Sequence, residues 1–327
     1  MKHDFTRRDF LAASAAFGAS AVAVGRLGTD RRLVAAPFKT TLQKALIGAA
    51  DEATLQSWKD AGFAGMEASK WDATPSEAAD GRKIAEKLGM RIHSVMRGWA
   101  NFNSPDPGKV AEDIQSVETA LKAAQGYGAD AVLLVPCLVG GMPMPEAWEF
   151  DIEFDEKTGH VARVAGGDNS KYAEYIEAQN HATDASRKAV EKLIPVAEKA
   201  GVIIALENVW NNLWVKPAIF ANFIASFDNP WVQCYYDIGN HVKYAMPEEW
   251  IRALGKLIVK VHVKDFELNP DGHGGRFVDI RDGSVDWPLV RKELDNIGYN
   301  GWMTIEGSSG LSLGEQSKRL DLILAGK

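Results

Sequence analysis

Four side chains that can bind a metal or move a proton each follow a short apolar run in the second half of the chain. They are Glu207, Asp237, His262 and Glu306. Charged groups at the ends of apolar strands are costly unless another group compensates them. Three carboxylates that met at one point would repel each other unless a cation lay between them. The set therefore predicts a site for one divalent ion.

The ligand types also narrow the identity of the ion. Carboxylate oxygens with a single imidazole favour Mn²⁺, Mg²⁺ or Co²⁺, and they are compatible with Zn²⁺. The competing interpretation is that the carboxylates cap helices or form surface ion pairs, while His262 packs in the core. Because all four residues end consecutive predicted strands, the pattern favours the metal site.

The elements that must position these residues alternate along the chain as short apolar runs and longer amphipathic stretches. The eight predicted strands are Lys44–Ala49, Gly65–Ser69, Arg91–Met96, Ala131–Cys137, Val202–Asn208, Val232–Asp237, Leu257–Asp265 and Gly301–Glu306. Apolar strands separated by helices indicate a parallel sheet covered by helices. Eight such units predict an α/β fold, a (β/α)8 TIM barrel with its site at the carboxyl ends of the strands. No glycine-rich phosphate-binding turn follows a strand, which disfavours a dinucleotide-binding fold.

The alternation is interrupted after the fourth strand, between Leu138 and Asn169. Within this long loop, Phe150–Phe154 alternates like a strand, and Glu156–Gly159 can turn the chain back along Val161–Val164. Loops of this length in compact domains are usually functional. We therefore expect a hairpin that covers the site or forms a contact surface.

The beginning of the chain is typical of an export signal. Arg7 and Arg8 precede an uncharged run, Phe10 to Val24, that is too short and too weakly apolar for a membrane span. Paired arginines before such a run indicate the twin-arginine (Tat) route. We expect residues 1–36 to be this leader, residues 37–327 to form a single barrel domain, and the protein to be periplasmic or extracellular. No later segment predicts an integral membrane span.

Composition excludes some partners. The formal charge is −7, from 37 Lys and Arg against 44 Asp and Glu. Because nucleic-acid binding requires a basic surface, a nucleic-acid partner is disfavoured and a small molecule is expected. The two cysteines, Cys137 and Cys234, form no disulfide framework.

Four motifs give the chain a resemblance to a known group of enzymes. They are Ala205-Leu-Glu-Asn208, Tyr236-Asp-Ile-Gly239, Val261-His-Val-Lys-Asp-Phe266 and Gly298-Tyr-Asn-Gly-Trp-Met-Thr-Ile-Glu306. With them, the chain from about Ala45 to Glu306 resembles the xylose-isomerase-like sugar isomerase/epimerase superfamily. The resemblance implies that the four strand-end residues bind one divalent ion and that Glu207 and Glu306 also act as the acid/base pair. It further implies a sugar substrate and a homo-oligomer.

The chain departs from that resemblance in the substrate pocket. Many relatives carry a His three residues after the metal-binding Asp, where this chain has Asn240, followed by His241. The ketose 3-epimerases carry an Arg soon after the metal-binding His, whereas Lys264 and Asp265 stand here and no Arg precedes Arg276. The substrate therefore does not follow from the resemblance.

Six residues are predicted to contact the substrate or to orient groups that do. They are His93, Glu67, Trp99, Asn240, His241 and Lys264. We interpret His93 as ending the third strand and Glu67 as ending the second, where Glu67 binds a hydroxyl or orients His93. Trp99 offers an aromatic face to a sugar ring. Lys264 either stabilises negative charge on the substrate or pairs with Asp265.

The predicted chemistry is enolisation. A carboxylate takes a proton from a carbon beside a carbonyl, a divalent cation stabilises the resulting enediolate, and a second group returns a proton. Return to the same carbon from the opposite face is epimerisation, and return to the neighbouring carbon is isomerisation. Loss of a β-substituent instead would make the protein a lyase acting on 3-keto-glycosides. A sugar-binding barrel with a structural metal is a further alternative, and an endonuclease acting at abasic sites is disfavoured by the negative charge.

Overall fold

Eight parallel strands close into a barrel in the computed structural model of the chain, which describes residues 38–308 and 310–327. The strands of the described residues are β1 Leu42–Gly48, β2 Gly65–Ala68, β3 Arg91–Trp99, β4 Ala131–Val135, β5 Phe150–Phe154, β6 Val161–Ala165, β7 Ile203–Glu207, β8 Val232–Asp237, β9 Ile258–Val263, β10 Asp265–Leu268, β11 Gly275–Val278 and β12 Gly301–Ile305. The barrel order is β1-β12-β9-β8-β7-β4-β3-β2. The predicted (β/α)8 barrel is confirmed.

Helices connect the barrel strands and cover them. They are α1 Glu52–Asp60, α2 Pro75–Lys87, α3 Pro107–Tyr127, α4 Ala173–Ala200, α5 Pro217–Ala225, α6 Pro247–Leu254, α7 Trp287–Asn296 and α8 Leu313–Leu324. Local signals set their ends: Thr74 and Glu77 form a capping box before α2, and Gly128 ends α3 in the left-handed conformation with φ of 71°. The helices therefore return the chain to the amino end of the barrel before each new strand begins, so that all eight strands run in the same direction.

The barrel interior is filled by side chains. Leu133, Ala205 and Tyr235 belong to a buried cluster inside it. Towards the amino ends of the strands, Trp302 packs so closely on Gly65 that a Cβ at that glycine would lie 2.2 Å from the indole ring. Because only glycine fits there, Trp302 fills the barrel interior at this level. Space for a ligand lies at the carboxyl ends of the strands, as is usual for this fold.

Two hairpins extend from the carboxyl end of the barrel. The antiparallel pair β5–β6 lies in the long loop after β4, where the sequence predicted it. A second antiparallel pair, β10–β11, follows β9 directly and was not predicted. Its strands have only four residues each and mix polar with apolar side chains, so they carry no periodic signal. Asp265 anchors its base by accepting hydrogen bonds from the backbone N–H of Arg281 at 2.8 Å and from Trp287 Nε1 at 3.0 Å.

The compact unit of the described chain comprises Phe38–Lys327. The predicted export leader, residues 1–36, lies outside the described residues. Among the helices that the structure describes, none combines the length and the apolar character that crossing a membrane requires.

Candidate metal and acid–base site

The four strand-end residues of the sequence analysis meet at one point. Glu207 ends β7, Asp237 ends β8, His262 is the penultimate residue of β9, and Glu306 follows β12 directly. Each offers one ligand atom, and these atoms all lie within 4.8 Å of one another. β7, β8, β9 and β12 are successive neighbours in the barrel, so their ends form a continuous arc. The structure thus brings the residues together as the sequence predicted.

The cluster has the chemistry that a divalent cation requires. Asp237 and His262 are fully buried, and Glu207 is nearly so. Asp237 Oδ1 accepts a 2.6 Å hydrogen bond from the backbone N–H of Asn240, but the buried Oδ2 has no hydrogen-bond partner. A buried acceptor without a partner is costly. Three carboxylates, one imidazole and an unsatisfied carboxylate oxygen therefore fit a site for Mn²⁺, Mg²⁺, Co²⁺ or Zn²⁺.

Burial and mutual repulsion perturb the protonation of the cluster. Burial raises the pKa of Asp237 to about 8, and it also raises the pKa of Glu207. Burial opposes ionisation of Glu306 too, but His262 and Lys264 outweigh it and hold the pKa of Glu306 well below its usual range. The two glutamates therefore differ in their tendency to carry a proton, as an acid/base pair must.

Glu67 fixes the orientation of the His262 ring. Glu67 Oε2 lies 2.6 Å from His262 Nε2, and both side chains are fully buried. His262 Nδ1 consequently faces the cluster, 3.3 Å from Glu207 Oε1 and 3.2 Å from Glu306 Oε2. A carboxylate on the far nitrogen of a histidine is the usual support for a metal-binding imidazole. The prediction that Glu67 orients His93 is wrong, because Glu67 pairs across the barrel with His262.

Replacing Glu67 by Gln is expected to weaken Mn²⁺ binding by about 10- to 100-fold. The amide keeps the shape of the side chain but removes the negative charge that supports the His262 ring. Isothermal titration calorimetry of the metal-free protein with Mn²⁺ measures the effect. Glu86→Gln, which alters an exposed ion pair with Arg82 on α2, serves as the control. Equal Mn²⁺ affinities for the two folded variants would contradict the supporting role of Glu67.

Lys264 and two asparagines complete the polar surroundings of the cluster. Lys264 Nζ lies 2.8 Å from Glu306 Oε2 and donates a 3.1 Å hydrogen bond to Asn240 Oδ1. The predicted alternative, a pair between Lys264 and Asp265, is wrong because Asp265 is occupied by the base of the β10–β11 hairpin. Asn208 belongs to one of the four sequence motifs, but the sequence predicted no function for it. Its side chain accepts from the backbone N–H of Asp237 at 2.7 Å, and so holds that strand end in place.

Two histidines that were predicted to contact the substrate are buried away from the cluster. His93 does not end β3, which continues to Trp99. Instead, its Nε2 lies 3.1 Å from Thr304 Oγ1, and its ring stacks on Trp302. His241 Nε2 lies 2.8 Å from the carbonyl oxygen of Val209, and its ring packs against Trp250. Neither offers an exposed surface to a substrate.

The buried state of His241 predicts a loss of stability in acid. Burial lowers the pKa of His241 from 6.5 to about 3, so the unfolded chain binds the proton more readily. The resulting stability is complete above pH 6.5 and is lost as the pH falls towards 3, with a slope of at most about 1.4 kcal/mol per pH unit. Urea denaturation between pH 4 and 7.5 should show a shallower slope for His241→Gln than for the natural protein. The exposed His181, replaced by Gln, is the control. Equal slopes for both variants would contradict this assignment.

A cleft of about 630 Å³ opens beside the cluster at the carboxyl end of the barrel. Glu306 and Lys264 belong to its lining, as do Phe277 and Arg276 from β11. Sequence reasoning missed Phe277 and Arg276, because the hairpin that carries them gave no recognisable pattern. Trp99, the remaining predicted substrate contact, ends β3 with 48% of its surface exposed. The cluster is thus accessible from solvent through Glu306, while its other members are buried.

The family profile described as xylose isomerase-like TIM barrel matches residues 55–321. The chain therefore belongs to this family. Solved structures with the same fold include a D-tagatose 3-epimerase-like protein, with a TM-score of 0.65 and 17% identity over 86% of this chain and 97% of that one. The 3-keto-D-glucoside 4-epimerase YcjR of Escherichia coli has a TM-score of 0.64 and 13% identity over 87% of this chain and all of its own.

A sequence relative supports the same grouping. The L-ribulose-5-phosphate 3-epimerase UlaE of Escherichia coli O1:K1 is 31% identical over 158 residues, which are 47% of this chain and 52% of UlaE. The chain thus spans about half the length of the curated relatives that it matches. It is an α/β barrel that is similar to sugar isomerases and epimerases.

Proposed function

We propose that the protein is a divalent-metal-dependent sugar isomerase or epimerase, with Glu207 and Glu306 as its acid/base pair. The observation that carries the proposal is the convergence of both glutamates with Asp237 and His262, all within 4.8 Å, at the edge of a solvent-accessible cleft. Two carboxylates at one centre can remove and return a proton. The epimerase activities for which UlaE, YcjR and the tagatose-epimerase-like protein are named are consistent with that chemistry.

The positions of Glu207 and Glu306 allow one of them to remove a proton and the other to deliver one. Glu207 approaches from β7 and Glu306 from the end of β12, with β8 and β9 between them, so a substrate carbon at the cluster meets a carboxylate from each side. One carboxylate accepts the proton from the carbon beside a carbonyl, and the other delivers a proton. Lys264, 2.8 Å from Glu306, keeps that carboxylate ionised and able to accept. A divalent cation held by the four residues would supply polarisation of the carbonyl group.

Hydrogen–deuterium exchange at carbon tests this proposal. The protein is loaded with Mn²⁺ and incubated in D₂O with free ketoses, aldoses and a 3-keto-glucoside, with and without EDTA, and the sugars are then examined by proton NMR. Deuterium at a carbon next to the carbonyl, lost with EDTA, is the expected result. If no sugar exchanges although the protein holds its metal, the enzyme proposal fails and a sugar-binding barrel becomes the better description.

A lyase acting on 3-keto-glycosides is the second candidate. The departures in the pocket favour it: Asn240 stands where many relatives carry a His, and Lys264 and Asp265 follow His262 where the ketose 3-epimerases carry an Arg. The same proton removal would then be followed by loss of the group attached at the sugar's anomeric carbon. In the exchange experiment, release of the free alcohol or phenol identifies the lyase, whereas an intact glycoside with deuterium identifies the epimerase.

We also propose that the protein is exported by the twin-arginine route, on the strength of Arg7, Arg8 and the apolar run behind them. Replacing both arginines by lysines should retain the protein in the cytoplasm of the producing cell. Immunoblots of periplasmic and cytoplasmic fractions measure this. An unchanged distribution would contradict the proposed route.

A further inference from the structure

Exposed apolar side chains concentrate at the carboxyl end of the barrel. Among the described residues, the large apolar side chains with more than a third of their surface exposed are Phe38, Trp99, Leu138, Trp148 and Phe277. Apart from Phe38, each lies at or beyond the carboxyl end of β3, β4 or β9. β3 and β9 are separated by three strands in either direction round the closed barrel, so these residues belong to opposite sides of its entrance. Such a concentration indicates a binding surface rather than scattered exposure.

The apolar residues of the entrance are continuous with the acid–base site. Phe277 lines the same cleft as Glu306 and Lys264, and its ring centre is 5.1 Å from Lys264 Nζ. Trp210, from the loop after β7, packs against Phe277 at 4.8 Å between ring centres. Trp148, from the long loop, stacks on His273 at the tip of the β10–β11 hairpin at 4.3 Å. The long loop and the β10–β11 hairpin therefore meet. We call Phe277, Trp210, Trp148 and His273 the aromatic wall, of which Phe277 is the member that lines the cleft.

The charges of the cleft disfavour an anionic substrate. Its lining contains two cations, Lys264 and Arg276, and each is paired with a carboxylate: Lys264 with Glu306 and Arg276 with Glu267. Asp279 and Asp282 add two further carboxylates, of which Asp282 pairs with Arg319 at 2.8 Å. Away from the metal cluster, a phosphate group would need a cation that is free to pair with it. The described lining offers the aromatic ring of Phe277 and more carboxylates than cations instead.

We propose that the site takes an uncharged sugar that carries an apolar, preferably aromatic, substituent. The sugar lies at the carboxylate cluster, and the substituent lies against Phe277 and Trp148. This inference rests on the proposed function, since it assigns the cluster to the sugar. A second copy of the chain is the less suitable occupant, because a protein surface on these residues would close the entrance to the acid–base site.

Matched glucosides test the aromatic subsite without any turnover. Isothermal titration calorimetry compares phenyl β-D-glucopyranoside, methyl β-D-glucopyranoside and glucose 6-phosphate on the Mn²⁺-loaded full chain. We expect the phenyl compound to bind about tenfold more tightly than the methyl compound, because its ring can stack on the wall. Glucose 6-phosphate should bind no better than the methyl compound.

Variants then assign the preference to particular residues. Trp148→Ala and Phe277→Leu should each reduce the preference for the phenyl compound, and together they should reduce it to about twofold or less. Phe277→Leu keeps an apolar side chain in the hairpin and removes only the ring. Phe38→Ala, at an exposed large apolar position away from the entrance, should leave the preference unchanged.

Three results would overturn the inference. They are equal affinity for the phenyl and methyl compounds, tighter binding of glucose 6-phosphate, and a dimer in sedimentation velocity that Trp148→Ala converts to monomer. The last would show that these residues bind a second copy. A phenyl preference without proton exchange in any sugar would retain the aromatic subsite and refute the isomerase. Proton exchange in a sugar without a phenyl preference would retain the isomerase and refute the aromatic subsite.

Discussion

Replacing Glu306 by Gln is expected to lower the rate of metal-dependent deuterium exchange into a sugar substrate by about 10²- to 10⁴-fold. The amide occupies the same volume beside Lys264 and His262 but cannot accept a proton from carbon. Glu207→Gln should have an effect of the same order, since both carboxylates are needed for one complete proton transfer. The initial rate of deuterium incorporation, followed by proton NMR at saturating Mn²⁺, measures both variants.

The control must separate loss of the acid/base group from loss of the metal. Bound Mn²⁺ is therefore determined for each variant, and rates are compared at equal occupancy. Because the two glutamates act as a unit, the double variant should be little slower than either single one. Glu86→Gln on α2 should retain the natural rate. A Glu306→Gln protein that holds Mn²⁺ and exchanges at the natural rate would remove Glu306 from the acid/base pair.

Adding Mn²⁺ to metal-free protein is expected to raise the free energy of unfolding by about 2.7 kcal/mol when the free ion is at 100 times its Kd. The physical reason is the electrostatic state of the metal-free cluster, in which burial raises the pKa of Asp237 to about 8 and leaves Asp237 Oδ2 without a partner. A cation satisfies that oxygen and relieves the repulsion between the carboxylates. Urea denaturation in EDTA and in excess Mn²⁺ measures the difference.

Asp237→Asn sharpens this test, because the variant should respond much less to Mn²⁺. In EDTA its stability should equal or exceed that of the natural protein, since the substitution removes a buried carboxyl that Lys264, 3.7 Å away, only partly compensates against burial and the two neighbouring glutamates. Asp80→Asn, at an exposed ion pair with Lys83 on α2, should keep the full response to the metal. If the natural protein gains no stability from Mn²⁺, Mg²⁺, Co²⁺ or Zn²⁺, the cluster is not a metal site.

The buried ionisable groups of this barrel lower its stability unless another group compensates them. Glu67, Glu207, Asp237 and His262 are all nearly or fully buried, where paired ionisable groups rarely improve stability over apolar residues. Elsewhere in the barrel, the buried Lys260 pairs one to one with Asp130, and side chains such as Leu133 and Val135 are apolar. Only at the cluster do three carboxylates of the described chain converge on one histidine and one lysine, and this unbalanced set indicates a functional requirement.

The sequence by itself determined the fold and the four members of the cluster. The barrel strands are short apolar runs bounded by helix caps and glycine stops, and a parallel barrel collects their carboxyl ends on one side. Charged residues at the ends of such runs are therefore brought to the same end of the barrel. This is why Glu207, Asp237, His262 and Glu306 could be assembled from spacing alone.

Only the tertiary structure decided which polar residues support that cluster and which face the cleft. Glu67 could not be assigned to His262, because the two are 195 residues apart and meet only when β2 and β9 face each other in the closed barrel. His93 was predicted to end β3, but the strand is longer than the sequence pattern indicated and continues to Trp99. Lys264 was predicted to pair with Asp265, but the β10–β11 hairpin holds that carboxylate at its own base. Phe277 and Arg276 lie on short exposed strands with no periodic pattern, so their position beside Glu306 depends on packing between distant segments. Strand-end position is a local property of the chain, whereas a side chain's partner across a barrel is not.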